Sequence, residues 1–264
     1  MFDTLQTGYP EAEQPVGSGY GSSVRHVGKV VDARLVGHAP RSLDMAEAAA
    51  LPLTAVTAWE LLFQRMPFDS ECGGEHKSVL IIGGAGGVGS IAIQLARRAG
   101  FIVIATASRP ESIEWCRKMG AHQVISHRVP MHPQLKELGM PEVDVVLNFA
   151  DTDQYWQIIG EILAPQGHVG LIVEPTGALP IGDPYKSKCI GIHWELMFTR
   201  SRYKTADQGE QGRILDRVAE LIDAGELQGT RTLTVSPINA FNLRDAHRRL
   251  ESGATVGKVV VSGW

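Results

Sequence analysis

VLIIGGAGGVGSIAIQLAR, residues 79–97, reads as an apolar run, a cluster of glycines and an amphipathic segment. The run from Val79 to Gly83 is continuously apolar, as expected of a strand buried on both faces. Gly84, Gly86 and Gly89, separated by Ala85 and then by Gly87 and Val88, have the spacing G-x-G-x-x-G. In such a loop the first glycine permits a tight turn and the second lets backbone approach a pyrophosphate. The third lets the helix pack closely on the strand. A helix from Gly87 to about Arg98 then offers unpaired N–H groups and the positive end of its dipole to an anion. Ser78 to Ala96 carries no charge, so a length rule alone would read a membrane span. The five glycines between Gly83 and Gly89 make it strand, turn and helix instead.

The pattern repeats outward from that stretch. FIVIAT (101–106), HQVIS (122–126), VDVVLNFA (143–150) and HVGLIV (168–173) are further apolar runs. Between them the sequence predicts a helix through Met119 and another near 153–163. Buried strands alternating with helices imply a parallel sheet covered on both faces, an α/β doubly wound (Rossmann) domain over 51–229. Ahead of it, Asp44 with Glu47 suggests a capping box for a helix through Ala50. Pro52 suits the first turn of a helix to about Arg65. Val30 and Val31 begin a short strand-like piece, and residues 1–27, rich in Gly, Ser and Pro, read as a flexible lead-in. Beyond 173 come KCIGIHW (188–194), a helix near 209–224, TLTV (232–235), a helix near 239–251 and KVVVS (258–262).

Composition excludes some classes of function. A net charge of −4 gives no basic excess for nucleic acid or an anionic membrane. Cys72, Cys116 and Cys189 lie far apart, which suits a reducing compartment. The start, MFDTLQTGYPEAEQP, has acids and prolines where a signal peptide needs a basic start and an apolar run. A cytoplasmic protein is the expectation. Cys72 and His76 stand four apart, but no second pair has ligand spacing, so no metal site is expected.

The residues after FIVIAT bear on the cofactor. An NAD site places an acidic residue there for the ribose hydroxyls. Here Ala107, Ser108, Arg109 and Pro110 follow, with no acid until Glu111. A hydroxyl and a guanidinium suit the 2′-phosphate of NADP(H), which a carboxylate would repel. Ser108-x-x-Glu111 is also a capping box with Pro110 in its first turn. The two readings are compatible, because a capped helix end presents the same N–H groups to a phosphate. For a proton donor the sequence offers Tyr185 and Lys186, beyond the fifth strand, where ligands of such sheets collect. Their setting, GDPYK, with its Gly and Pro, favours a solvated turn over that role. His168 and His193 lie in or beside apolar runs and suit core or cofactor-flanking positions.

Taken together, AEAAALPLTAVTAWELL (46–62), VLIIGGAGGVGSIAIQLAR (79–97), ATASRPE (105–111), LAPQGHVGLI (163–172), HWELMFTRS (193–201) and GKVVVSGW (257–264) carry a resemblance. The chain resembles the medium-chain dehydrogenase/reductase superfamily, in the zinc-free, quinone-oxidoreductase-like branch termed zinc-type alcohol dehydrogenase-like. The resemblance implies an NADPH-dependent reductase of quinones, enones or related small carbonyl compounds. It puts Thr57 beside the nicotinamide and gives the pyrophosphate to Gly86, Gly87, Val88 and Gly89. Ser108 and Arg109 take the 2′-phosphate and His127 flanks the adenosine ribose. Asn148, Phe149 and Ala150 close over the cofactor, and KCIGIHWE (188–195) matches an edge strand that joins two subunits as a homodimer.

Members of the group begin with a GroES-like substrate domain, where this chain has only residues 1–26. Residues 28–50 and 230–264 then read as a remnant of that domain, leaving the nicotinamide side of the cleft more open. Three functions fit the sequence: an NADPH-dependent oxidoreductase, a catalytically silent NADPH-binding protein, or a scaffold repurposed for non-redox chemistry on a small molecule.

Overall fold

The computed structural model describes residues 31–263. The expected lead-in and Val30 therefore lie outside the described residues, and after Val31 the chain enters a 3-10 turn at Ala33–Leu35. Next come α1 (Met45–Ala49) and α2 (Pro52–Glu60), the latter continuing through a π-helical turn at Leu61–Arg65. The alternating part runs β1 (Ser78–Ile82), α3 (Gly87–Arg98), β2 (Ile102–Thr106), α4 (Pro110–Lys118), β3 (Gln123–Ile125) and α5 (Met131–Glu137). It continues with β4 (Val143–Asn148), α6 (Thr152–Ile162), β5 (Leu163–Leu171) and β6 (Gly191–Trp194). Last come α7 (Thr199–Tyr203), α8 (Glu210–Asp223), β7 (Arg231–Val235), α9 (Ala240–Glu251) and β8 (Lys258–Val261).

Six parallel strands form one sheet in the order β3-β2-β1-β4-β5-β6, the Rossmann arrangement. Alternation along β1 divides the core in two. Val79 and Ile81 join one cluster with Ala55 of α2, Ile91 and Leu95 of α3 and Val218 of α8. Leu80 and Ile82 join the other, with Leu135 of α5 and Ile159 of α6. Each fully buried aliphatic side chain contributes about 1.5–3 kcal/mol, so a polar residue at Leu80 would undo one whole layer. Among the described residues no helix is long and apolar enough to cross a membrane.

Several expectations are corrected locally. Pro110 occupies the first position of α4, where its missing N–H is no loss, and this moves the cap from Ser108 to Arg109. Ser112 closes that end instead, its hydroxyl accepting from Arg109 N at 3.2 Å and donating to Arg109 O at 2.9 Å. Asp44 does cap α1, accepting from Glu47 N at 2.7 Å, but the Glu47 carboxylate pairs with Arg231 at 3.2 Å. Only Gly191–Trp194 of KCIGIHW is strand. Cys189 has φ of +51°, and the Lys188 ammonium donates to Glu161 O at 2.8 Å and Leu163 O at 2.6 Å, holding a turn there. β7 and β8 form a separate parallel pair against which α1 packs, so the two end segments of the described chain meet.

Candidate dinucleotide site

Strand order reverses between β1 and β4, and in open parallel sheets the crevice beyond that reversal receives the ligand. Gly83 leaves β1 with φ of +80°, a conformation available to glycine at little cost. The tight turn expected at Gly84 thus belongs to Gly83. Its N–H donates to Thr106 Oγ1 at 3.1 Å, tying the loop to the end of β2. Thr106 went unnoticed in the sequence, where a hydroxyl ending a strand beside a glycine turn was its only signal.

The remaining glycines divide between packing and access. A Cβ on Gly84 would lie 2.8 Å from Ala105 Cβ, and one on Gly89 only 2.4 Å from Gly83 O. Both positions are closed by the contact of helix with strand. A Cβ on Gly86 would meet only Gly83 O, at 3.4 Å, so the space over Gly86 is open. Gly86 is also the N-cap residue of α3, whose first internal hydrogen bond runs from Ser90 N to Gly86 O at 2.9 Å. The N–H groups of Gly87, Val88 and Gly89 precede that bond and are free to serve an anion.

The other expected residues lie on α2 and on the segments that end or follow β2, β3 and β4. Thr57 is buried on α2, its hydroxyl donating to Leu53 O at 2.8 Å. Ser108 and Arg109 follow β2 and are half-buried. The Arg109 guanidinium donates to Ala254 O at 2.6 Å and pairs with Glu111 at 2.8 Å. His127, at the surface, is held below the usual imidazole range by partial desolvation, then by the Arg128 and Arg109 cations. Arg109 and His127 therefore share one corner. Phe149 N donates to Ile82 O at 3.1 Å, and its backbone faces Gly83 across the crevice. The Asn148 side chain, fully buried, accepts from Ala150 N at 3.1 Å and donates to Asp151 O at 3.4 Å. It therefore shapes the turn carrying Phe149 and Ala150.

Tyr185 is removed from the candidate proton donors. It is 4% exposed, stacked on Trp156 with centroids 4.1 Å apart, and its hydroxyl donates to Trp156 O at 2.6 Å. Burial pushes the phenol far above its ordinary value, so it keeps its proton. Lys186 is exposed in a turn closed by its own N–H to Gly182 O at 2.8 Å.

The sequence also gave no sign of a buried ionic cluster at the far end of α2. Glu60 is fully buried and pairs with Arg65 at 2.9 Å and with Arg200. Arg65 reaches Glu195 at 2.7 Å, and Arg200 reaches Asp207 at 2.9 Å. Burial first, and then the neighbouring Glu60, push the Glu195 carboxyl up to about 8, with Arg65 opposing. Residues so far apart in the chain meet only because the π-helical turn lies beside the end of β6. On the same strand His193 Nε2 stands 2.9 Å from His168 Nδ1, linking β6 to β5.

A glycine loop, a free helix end and a sheet reversal in one place define a dinucleotide-binding protein of the doubly wound class. A family profile described as zinc-binding dehydrogenase matches residues 119–261. A zinc-type alcohol dehydrogenase-like protein of Staphylococcus aureus is 38% identical over 235 residues, 89% of this chain and 70% of that protein. Among solved structures, a Rhizobium etli protein assigned as a zinc-dependent alcohol dehydrogenase is similar at 48% identity and a TM-score of 0.83. That likeness covers 89% of this chain and 68% of the other. A mycobacterial protein complexed with NADPH is similar at 26% identity and a TM-score of 0.72, over 87% and 68% of the two chains. The chain belongs to the zinc-binding dehydrogenase family, within the medium-chain dehydrogenase/reductase superfamily, and is an oxidoreductase.

The zinc in the family's description finds no donor set among the described residues. No three His, Cys, Asp or Glu side chains converge there. Cys116 is buried, and Cys72 and Cys189 are exposed in separate loops.

Proposed function

We propose that this chain is an NADPH-dependent reductase of a quinone, an enone or a related small carbonyl compound. One observation carries the reading: the space above Gly86 is open at the N-terminus of α3, while Arg109 and Ser108 stand at the end of β2. The open space fits a pyrophosphate, and the Arg109 guanidinium fits the 2′-phosphate that distinguishes NADP from NAD. Glu111, the nearest acid, is already paired to Arg109. The mycobacterial relative with bound NADPH supports the same choice.

When bound, the cofactor supplies a hydride. The chain's own groups bind and orient: the Gly87, Val88 and Gly89 amides take the pyrophosphate, His127 flanks the ribose, and Thr57 lies on the nicotinamide side. Tyr185 has no part in proton delivery, so the proton comes from solvent or from the substrate's surroundings.

Two further readings accompany this one. Two copies pair through the outer edge of β6, where Ile192 and Trp194 are exposed and no further strand pairs among the described residues. The protein works in the cytoplasm, which three separate free cysteines favour.

Titration with NADPH and NADH tests the cofactor. NADPH should bind more tightly by about 1.5–3 kcal/mol, the scale of a hydrogen bond to a charged group, and Arg109→Ala should erase most of that gap. Equal affinities in the unaltered protein would overturn the preference. Loss of NADPH absorbance against a panel of quinones and enones tests the reaction.

A further inference from the structure

Lys258 opens β8, and the residue before it is fastened to the glycine loop. The N–H of Gly257 donates to Ala85 O at 2.8 Å, and that of Lys258 to Thr230 O at 2.8 Å. Gly257 has φ of +60°, and a Cβ there would fall 2.5 Å from Thr230 O, so this approach to the loop requires glycine. The next side chain, Lys258, passes over the first residue of α3. A Cβ on Gly87 would lie 2.7 Å from Lys258 Cδ and 3.1 Å from Thr54 Cγ2. The spacing G-x-G-x-x-G leaves position 87 unrestricted, so glycine at that position makes room for the lysine stem rather than completing the motif.

The ammonium two bonds beyond Cδ is poorly placed for an empty fold. It stands in the field of a helix N-terminus, which is positive, and like sign there is destabilising. Burial holds it below the ordinary lysine value, and no carboxylate is among the groups acting on it. Among the described residues no ion pair includes Lys258. A half-buried cation whose stem crosses the first residue of α3 is relieved by an anion bound at the free N–H groups there.

We propose that Lys258 is a pyrophosphate anchor, clamping the dinucleotide against the N-terminus of α3 from the C-terminal strand, with Gly87 kept small to let it pass. The proposal rests on the dinucleotide reading above and adds a residue that the glycine motif does not contain. It is separate from the 2′-phosphate contacts of Ser108 and Arg109.

The test uses Lys258→Met, which keeps the stem and removes the charge, and Lys258→Arg, which restores it. NADPH, NADH and ADP-ribose are titrated by calorimetry, and the melting temperature is read with and without each. Lys258→Met should weaken all three by a similar factor, roughly tenfold to a hundredfold, and Lys258→Arg should recover most of the loss. The unliganded Met variant should melt no lower than the unaltered protein, since the cation has no partner among the described residues. A Met variant that binds all three as the unaltered protein does, or loses affinity for NADPH alone, overturns the anchor and leaves the cofactor reading standing. An unaltered protein that binds neither dinucleotide overturns both.

Discussion

Tyr185 lies flat on Trp156, the two rings 8° from parallel, and returns its hydroxyl proton to the carbonyl of the same tryptophan at 2.6 Å. The pair joins the loop after β5 to α6, with Trp156 Nε1 donating to Pro180 O at 2.8 Å. Tyr185→Phe should therefore lower stability by about 0.5–1.5 kcal/mol, the net worth of one hydrogen bond, because the Trp156 carbonyl keeps its place in the α6 ladder. Reductase activity per folded molecule should be unchanged. A loss of turnover with normal stability, measured by denaturant titration alongside NADPH oxidation, would return Tyr185 to the chemistry.

Gly86 and Gly89 should fail in different ways. A side chain on Gly89 meets backbone at 2.4 Å, so Gly89→Ala should destabilise the fold by about 1–3 kcal/mol. Gly86→Val extends into open space and should melt close to the unaltered protein while losing dinucleotide binding. Thermal denaturation with and without NADPH separates the two outcomes. Undiminished NADPH affinity in Gly86→Val would sink the placement of the pyrophosphate.

Glu195 makes stability depend on pH. Its carboxyl is raised to about 8 in the fold, so between the ordinary carboxylate value and that point the folded state holds a proton the unfolded chain has released. Stability contributed in this way is present at low pH and falls as pH rises through the window from about 5 to about 8. The half-buried His168 and His193, held below their ordinary value, add the opposite slope at the acid end. Comparison with Glu195→Gln isolates the carboxyl: the variant's melting temperature should decline less over that range. Parallel curves would remove the shared proton from the cluster.

The edge of β6 should determine the number of chains in the particle. Trp194, 46% exposed, and Ile192 stand on that strand. Sedimentation at micromolar concentration should give a dimer for the unaltered protein and a monomer for Trp194→Glu, because a buried unpaired carboxylate opposes association. A monomer in both cases would leave the edge without a partner copy.

The sequence by itself determined the sheet and the phosphate loop. VLIIG is apolar without interruption because its strand is buried on both faces, FIVIAT and VDVVLNFA are nearly so, and Gly89 is required by the Gly83 backbone a few residues away. Features of that kind are local, so a linear reading finds them. Tertiary structure decided what local chemistry leaves open. Pro110 moved the helix cap from Ser108 to Arg109, and packing on Trp156 turned Tyr185 from a candidate acid into a core residue. Glu60, Arg65, Glu195 and Arg200 came together across more than a hundred residues of chain, as did Gly87 and Lys258. The partners joined across that distance lie at no helical or strand spacing from one another. What a titratable side chain does depends on which groups exclude water from it and which charges face it, and both are set by distant segments only once the chain has folded.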